Sequence, residues 1–156
     1  MQSKTPSAIG ISGIVIGLGA IVGCLLAPLI AALLNRRLAY FLLCLGSLIA
    51  CQALFRYYTD YTGGFLVMAF IVGGVTAAFY GWMPLYLPEL FPTRVRATAQ
   101  GVAYNFGRIA AGFGAITGAT VGRNFAQIGV YVSLIYVVGM VIIWFAPETK
   151  GKGMME

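Results

Sequence analysis

From Ala8 to Leu33 the chain carries no charged residue, and this run constrains the fold more than any other feature. It exceeds the roughly 20 apolar residues that a helix needs to cross a bilayer. Four more apolar segments follow, at about 38–54, 65–87, 95–121 and 126–146, the last closed by Pro147. Each is too long for a strand of a membrane barrel, and none shows the alternation of one. Backbone polar groups in hydrocarbon must be satisfied within their own segment, so all five are expected to be helices. The first is too long for a signal-peptide core and lacks a small-x-small cleavage site, so it reads as a permanent span. The expected fold class is an all-α membrane protein with five transmembrane helices.

Composition excludes other classes. Charged residues make up 9% of the chain and hydrophobic ones 60%, with a mean hydropathy of +0.91, whereas soluble domains carry about a quarter charged residues. Ten Lys and Arg against four acids give a net charge of +6. That excess is scattered through short loops instead of gathered on one solvated face, so no nucleic-acid partner is expected. There is no histidine, which removes the usual zinc and general-base constellations. No metal or cofactor is expected. Cys24, Cys44 and Cys51 all lie inside apolar runs and read as small packing residues, not a disulfide framework.

Basic residues set the expected orientation. One set of alternate loops holds Arg36, Arg37, Arg94, Arg96, Lys150 and Lys152, and the other holds Lys4, Arg56 and Arg123. The richer set belongs on the cytoplasmic side, which places the N-terminus outside and the C-terminus inside the cell (inner) membrane. Tyr57, Tyr58 and Tyr61 then read as an aromatic belt on the outer face. Glycine pairs of G-x-x-x-G spacing, Gly13/Gly17, Gly19/Gly23, Gly114/Gly118 and Gly118/Gly122, are expected to let helix backbones approach closely in lipid. Around Gly17-Leu18-Gly19 the third glycine of a dinucleotide fingerprint is one residue late and no strand precedes it, so helix packing is the reading there.

Three stretches carry a resemblance. Pro88-Glu89-Leu90-Phe91-Pro92-Thr93-Arg94-Val95-Arg96 is a short charged turn between two apolar segments, Pro147-Glu148-Thr149-Lys150-Gly151 closes the last one, and Asn35-Arg36-Arg37 joins the first two. Together they resemble the signatures of major facilitator superfamily carriers, of the sugar-porter and aromatic-acid:proton symporter branches. The third signature is eroded: its lead-in aspartate position is Ala32, and Asn35 replaces a glycine. By this register the five segments correspond to helices eight to twelve of a twelve-helix carrier. Residues 1–156 would form most of the C-terminal six-helix half, and the N-terminal half of the same carrier would be a partner. Such carriers bind solute between two halves built from inverted repeats.

The resemblance also implies site residues. Arg36, Arg37, Glu89, Arg96 and Glu148 would form an ionic gate on the cytoplasmic side, whose pairs break as the inward cavity opens. For Glu89 together with Arg96 the gate is the preferred reading, since an acid is not needed for orientation. Arg94, Lys150 and Lys152 read as solvated topology signals. Arg108 lies about a dozen positions into the fourth segment, about 15–20 Å along a helix, where an arginine is costly unless it faces protein, water or an anion. It contacts a solute carboxylate, pairs with an acid elsewhere in the carrier, or snorkels to the headgroups. Asn105, Tyr104, Tyr80 and Phe79 are the other expected solute-binding residues. Trp82 and Tyr86 fit either a cavity or an interfacial belt. Pro84, Pro88 and Pro92 are expected to bend and end the third helix. All four acids, Asp60, Glu89, Glu148 and Glu156, fall in loops or the tail, so a proton, were it the coupling ion, would need its carboxylate elsewhere.

The function expected is carriage of a small organic solute, an organic or aromatic acid or a sugar-like metabolite, across a lipid membrane by alternating access. The alternative is a non-transporting truncated membrane protein that packs with a partner half. An intramembrane enzyme would need a nucleophile–base or metal set within the spans, and the sequence offers none.

Overall fold

The computed structural model describes residues 6–58, 60–120 and 125–150, with the backbone alone at 6, 110, 113–120, 125 and 126. Helix α1 spans Pro6–Leu33, α2 Arg36–Tyr57, α3 Gly63–Leu90, α4 Arg96–Thr120, α5 Phe125–Ser133 and α6 Ile135–Ile142, followed by a 3₁₀ turn at Ile143–Phe145. The chain is thus all-α among its described residues. Four helical stretches are long and apolar enough to cross a membrane, Ser7–Leu33, Arg36–Tyr57, Gly63–Leu90 and Gln127–Phe145. Helix α4 has the length, at 25 residues, but Gln100, Asn105, Arg108 and its threonines make it too polar to join them.

The core forms where α1, α2 and α3 meet. Ala27, Ala31, Ala39, Leu43, Ala78, Trp82, Tyr86 and Ile143 are buried together there. The α1–α3 seam is closest: a Cβ on Gly19 or Gly23 would run into Phe70 or Gly74 backbone, and one on Gly73 into the carbonyl of Ile16. Lipid gives no hydrophobic drive for helices to associate, so such backbone-to-backbone contact supplies the packing. The expected partner pair Gly13/Gly17 behaves differently, because nothing lies within 4 Å of a Cβ at either position. The pairs at Gly114, Gly118 and Gly122, and the charges of Lys4, Arg123, Lys152 and Glu156, lie outside the residues whose surroundings are described.

Helix α3 passes through both Pro84 and Pro88 and ends at Leu90, with Phe91 extended as its cap and Pro92 next. Each proline removes one ladder hydrogen bond without stopping the helix. The aromatic residues of α3 also depart from expectation. Trp82 and Tyr86, at 3% and 4% exposure, face neither a belt nor a cavity. They stack with centroids 4.7 Å apart, and Trp82 meets Tyr40 of α2 at 4.8 Å. The two rings pack against the small side chains of Ala27, Ala31, Ala39 and Ala78 in the same buried cluster.

Candidate functional site

Two helix termini face each other where α1 gives way to α2. The last carbonyls of α1 and the first amides of α2 have no intrahelical partners. Asn35 sits at the N-cap of α2 but makes no side-chain cap. Glu148, more than a hundred residues later in the chain, supplies it instead. Its two oxygens accept from the backbone N–H of Arg36 at 3.0 Å and of Arg37 at 3.2 Å, and the backbone N–H of Lys150 also donates to it at 3.1 Å. A carboxylate on these amides matches the positive end of the helix dipole. The carbonyls of α1 are met by cations: Arg36 Nη1 donates to Ala31 O at 2.8 Å and Lys150 Nζ to Leu33 O at 2.9 Å. Lys150, expected to be a solvated topology signal, is therefore a C-cap of α1.

Arg36 turns the rest of its guanidinium to α3. Nε donates to Glu89 Oε2 at 3.1 Å and Nη2 to Oε1 at 2.7 Å, a bidentate pair with side chains 14% and 19% exposed. Thr149 Oγ1 donates a short hydrogen bond to Glu89 Oε2, and Tyr86 Oη donates to Pro147 O at 2.7 Å. The segment 147–150 thus ties together α1, α2 and α3. Arg36, Arg37, Glu89 and Glu148 of the expected gate are brought together. Arg37 joins through its backbone, and its Nε is buried without a partner among the described residues. Arg96 Nε donates to Phe91 O at 3.3 Å, holding the turn before its own helix. Thr149 and the caps on Ala31 and Leu33 were missed by sequence reasoning. Thr149 and Lys150 stood in the quoted tail signature, whereas bonds to backbone carbonyls leave no trace in residue type.

Burial pushes the Glu148 carboxyl up, but hydrogen bonds from the backbone N–H groups of Arg37, Lys150, Arg36 and Thr149 outweigh that and hold it below the ordinary value of 4.5. A depressed carboxyl contributes stability above its unfolded-state value and loses it as pH falls through the folded one. The clasp should hold unchanged above about pH 5 and loosen only below about pH 4.5. Hydrogen exchange of the Arg36 and Arg37 amides against pH measures this. Loosening already at about pH 6 would contradict it.

The solute-binding candidates divide. Tyr80 and Tyr104 are brought together, with ring centroids 6.1 Å apart and planes at 53°. Phe79, one position earlier, points into the bundle and stacks on Tyr136 at 5.9 Å and 11°. On α4, Gly101, Tyr104, Asn105, Arg108 and Gly112 share one face by helical periodicity. Arg108 and Asn105 are exposed, and Asn105 Nδ2 donates to Gly101 O at 2.8 Å. The adjoining face of α4 carries Val102, Phe106 and Ile109, at 64%, 73% and 60% exposure. A groove of about 210 Å³ beside the α1–α3 seam is lined by glycine and apolar residues such as Val22, Leu26, Phe70 and Val75, and so has nothing to grip a polar solute.

Residues 11–156 match the family described as sugar (and other) transporter. The chain belongs to that family, within the major facilitator superfamily. It is 36% identical over 136 residues to the cis,cis-muconate transport protein of Acinetobacter baylyi, covering 83% of this chain and 32% of that protein. A protein of Haemophilus influenzae named for metabolite transport is 31% identical over 139 residues, 87% of this chain and 34% of its own. One from Cupriavidus pinatubonensis, named for 4-methylmuconolactone transport, is 32% identical over 89 residues, 54% of this chain and 21% of its own. The chain spans about a third, or less, of the length of these curated relatives. A family of carriers, not enzymes, accounts for the apolar helices as those of a multi-pass membrane protein.

Proposed function

We propose that the chain forms helices eight to twelve of a secondary carrier that moves a small organic acid across the cell membrane by alternating access. The exposed Arg108, on a helix that also carries Gln100 and Asn105, carries this reading. A guanidinium in a span is retained where it meets an anion, water or protein, and a carboxylate is the group it binds best in a fork geometry. Asn105 and the Tyr80–Tyr104 pair lie on the same side and offer an amide oxygen and aromatic faces to an unsaturated acid. Two relatives carry muconate or a muconolactone in their names, which agrees with an acid over a sugar. Phe79 belongs in this account as a packing residue of α3, its ring held by Tyr40 and Tyr136.

The gate is the clasp of Arg36, Arg37, Glu89 and Glu148, with Arg96 stiffening the neighbouring turn. Its rupture accompanies opening of the solute path on the cytoplasmic side, where the C-terminus lies, while the N-terminus lies outside. The uncovered face of α4 meets the other half of the carrier, and a proton is the candidate coupling ion. Uptake of labelled cis,cis-muconate against a sugar by the complete carrier tests the reading. Arg108→Lys and Arg108→Gln should weaken acid uptake, with an apparent KM raised roughly 10-fold or more for Gln through loss of a charge-assisted bond of about 1.5–3 kcal/mol. Unchanged acid affinity in both variants rules out the contact.

A further inference from the structure

The last span, Gln127–Phe145, is not one unbroken α-helix. Helix α5 stops at Ser133 and α6 starts at Ile135, with Leu134 between them. No proline lies there, and the nearest glycines, Gly129 and Gly139, are each several residues away. A side chain from another helix stands where the ladder is interrupted. Leu134 N–H bonds to Tyr131 O at 3.1 Å and Val137 N–H to Leu134 O at 3.0 Å, both one residue tighter than α-helical spacing. That leaves the carbonyl of Val130 without the Leu134 N–H that an unbroken helix would give it. Gln52 of α2 replaces the missing donor: its Nε2 lies 3.0 Å from Val130 O and 2.8 Å from Ser133 Oγ. Ser133 Oγ also donates to Val130 O at 2.8 Å. The orientation of the Gln52 amide is fixed from the other side, because Arg56 Nε donates to its Oε1 at 2.8 Å.

An unsatisfied carbonyl is strongly disfavoured in hydrocarbon. Insertion of a side chain into the ladder is one of the few causes of a sharp helix bend, and a 3₁₀ turn within a helix marks a hinge in many proteins. Two hydrogen-bonded arrangements are therefore open to Val130 O. In one, Gln52 and Ser133 serve it and the span is broken; in the other, Leu134 N–H serves it and the span is continuous. We infer that the Ser133–Leu134 step is a two-state hinge in the last span, and that Gln52 is the positioning residue that selects the broken state. The two halves are anchored differently. Helix α6 leads through the 3₁₀ turn into Pro147, whose carbonyl is bonded to Tyr86, and on to Thr149, which is bonded to Glu89. Helix α5 follows α4 in the chain and rests on α2 where the Phe55 ring lies against Gly129. The hinge lets α5 change tilt while the clasp at the far end stays shut.

The test uses the full chain, ¹⁵N-labelled in magnetically oriented bicelles, where NMR reads the tilt of each half-helix separately. The native chain should give one tilt for 125–133 and another for 135–142. Gln52→Leu combined with Ser133→Ala removes both side-chain partners of Val130 O at nearly constant volume. The two tilts should then merge, and exchange of the Leu134 amide should slow severalfold as its bond moves from the poorer 3₁₀ geometry with Tyr131 O to Val130 O. Gln52→Glu keeps the acceptor used by Arg56 and loses only the donor, so it should move both readouts in the same direction by less. Two tilts persisting in both variants, or Leu134 exchange unchanged or faster, overturns the inference.

Discussion

Replacing Glu89 by Gln should loosen the end of the bundle where α1, α2 and α3 are joined, at a cost of about 1–3 kcal/mol. Three bonds end on that carboxylate, two from Arg36 and one from Thr149. The substituted amide would keep one acceptor oxygen and lose the charge, leaving the Arg36 guanidinium short of a partner at a site only 14% exposed. An exposed ion pair of this kind is worth less than about 1 kcal/mol. Here the fork geometry and the partial burial raise it. Thermal unfolding of the purified protein in detergent reads the loss. Arg36→Gln should cost a similar amount, and the double variant should cost less than the sum of the two singles by about 1–2 kcal/mol. Strict additivity would mean that the pair contributes nothing as a pair. The same measurement separates the roles of the two acids. Glu148→Gln removes a cap, a loss of about 1 kcal/mol, and should leave the Arg36–Glu89 coupling nearly intact.

The largest effect is expected at Gly23. A Cβ there would fall within the carbonyl group of Gly74, which is backbone and cannot turn aside. Gly23→Leu should therefore push α1 off α3, with a loss of about 3 kcal/mol or more. Gly13→Leu lies earlier on the same helix, where nothing stands within 4 Å. It should be close to neutral and serves as the comparison. Both glycines have the same helix propensity cost relative to leucine, so the difference between the two variants isolates packing. An equal response would show that the seam does not hold the two helices together.

The helices were legible in the sequence because lipid imposes a severe rule on any backbone that crosses it, and the runs from Ala8 and from Phe65 obey it without exception. The charged turns were legible too, since a carboxylate such as Glu89 between apolar stretches has few places to be. What those residues bond to was less so. Glu148 was expected in an ionic gate with arginine side chains; it instead accepts from the backbone amides of Arg36, Arg37 and Lys150, a donor type that nearly every residue carries and no pattern advertises. Trp82 and Tyr86 were ambiguous because an aromatic ring with a polar tip suits an interface, a cavity and a core alike. Only their burial against Ala27, Ala31 and Ala39 decides it. The break at Leu134 left little local signal: Ser133 bonds back to Val130 O, as a serine can in an unbroken helix, and the other partner, Gln52, sits on another helix.

The α1–α3 seam has a mechanical consequence. Carbonyl oxygens of Ile16 and Phe70 are pressed against glycine backbone of the opposite helix, and Cys24 Sγ donates to Ala77 O at 3.1 Å further along. Surfaces meshed at that spacing cannot slide by a fraction of a turn without collision. Helices α1 and α3 therefore translate and rotate as one stiff beam. A movement that rearranged these helices would have to carry the pair whole.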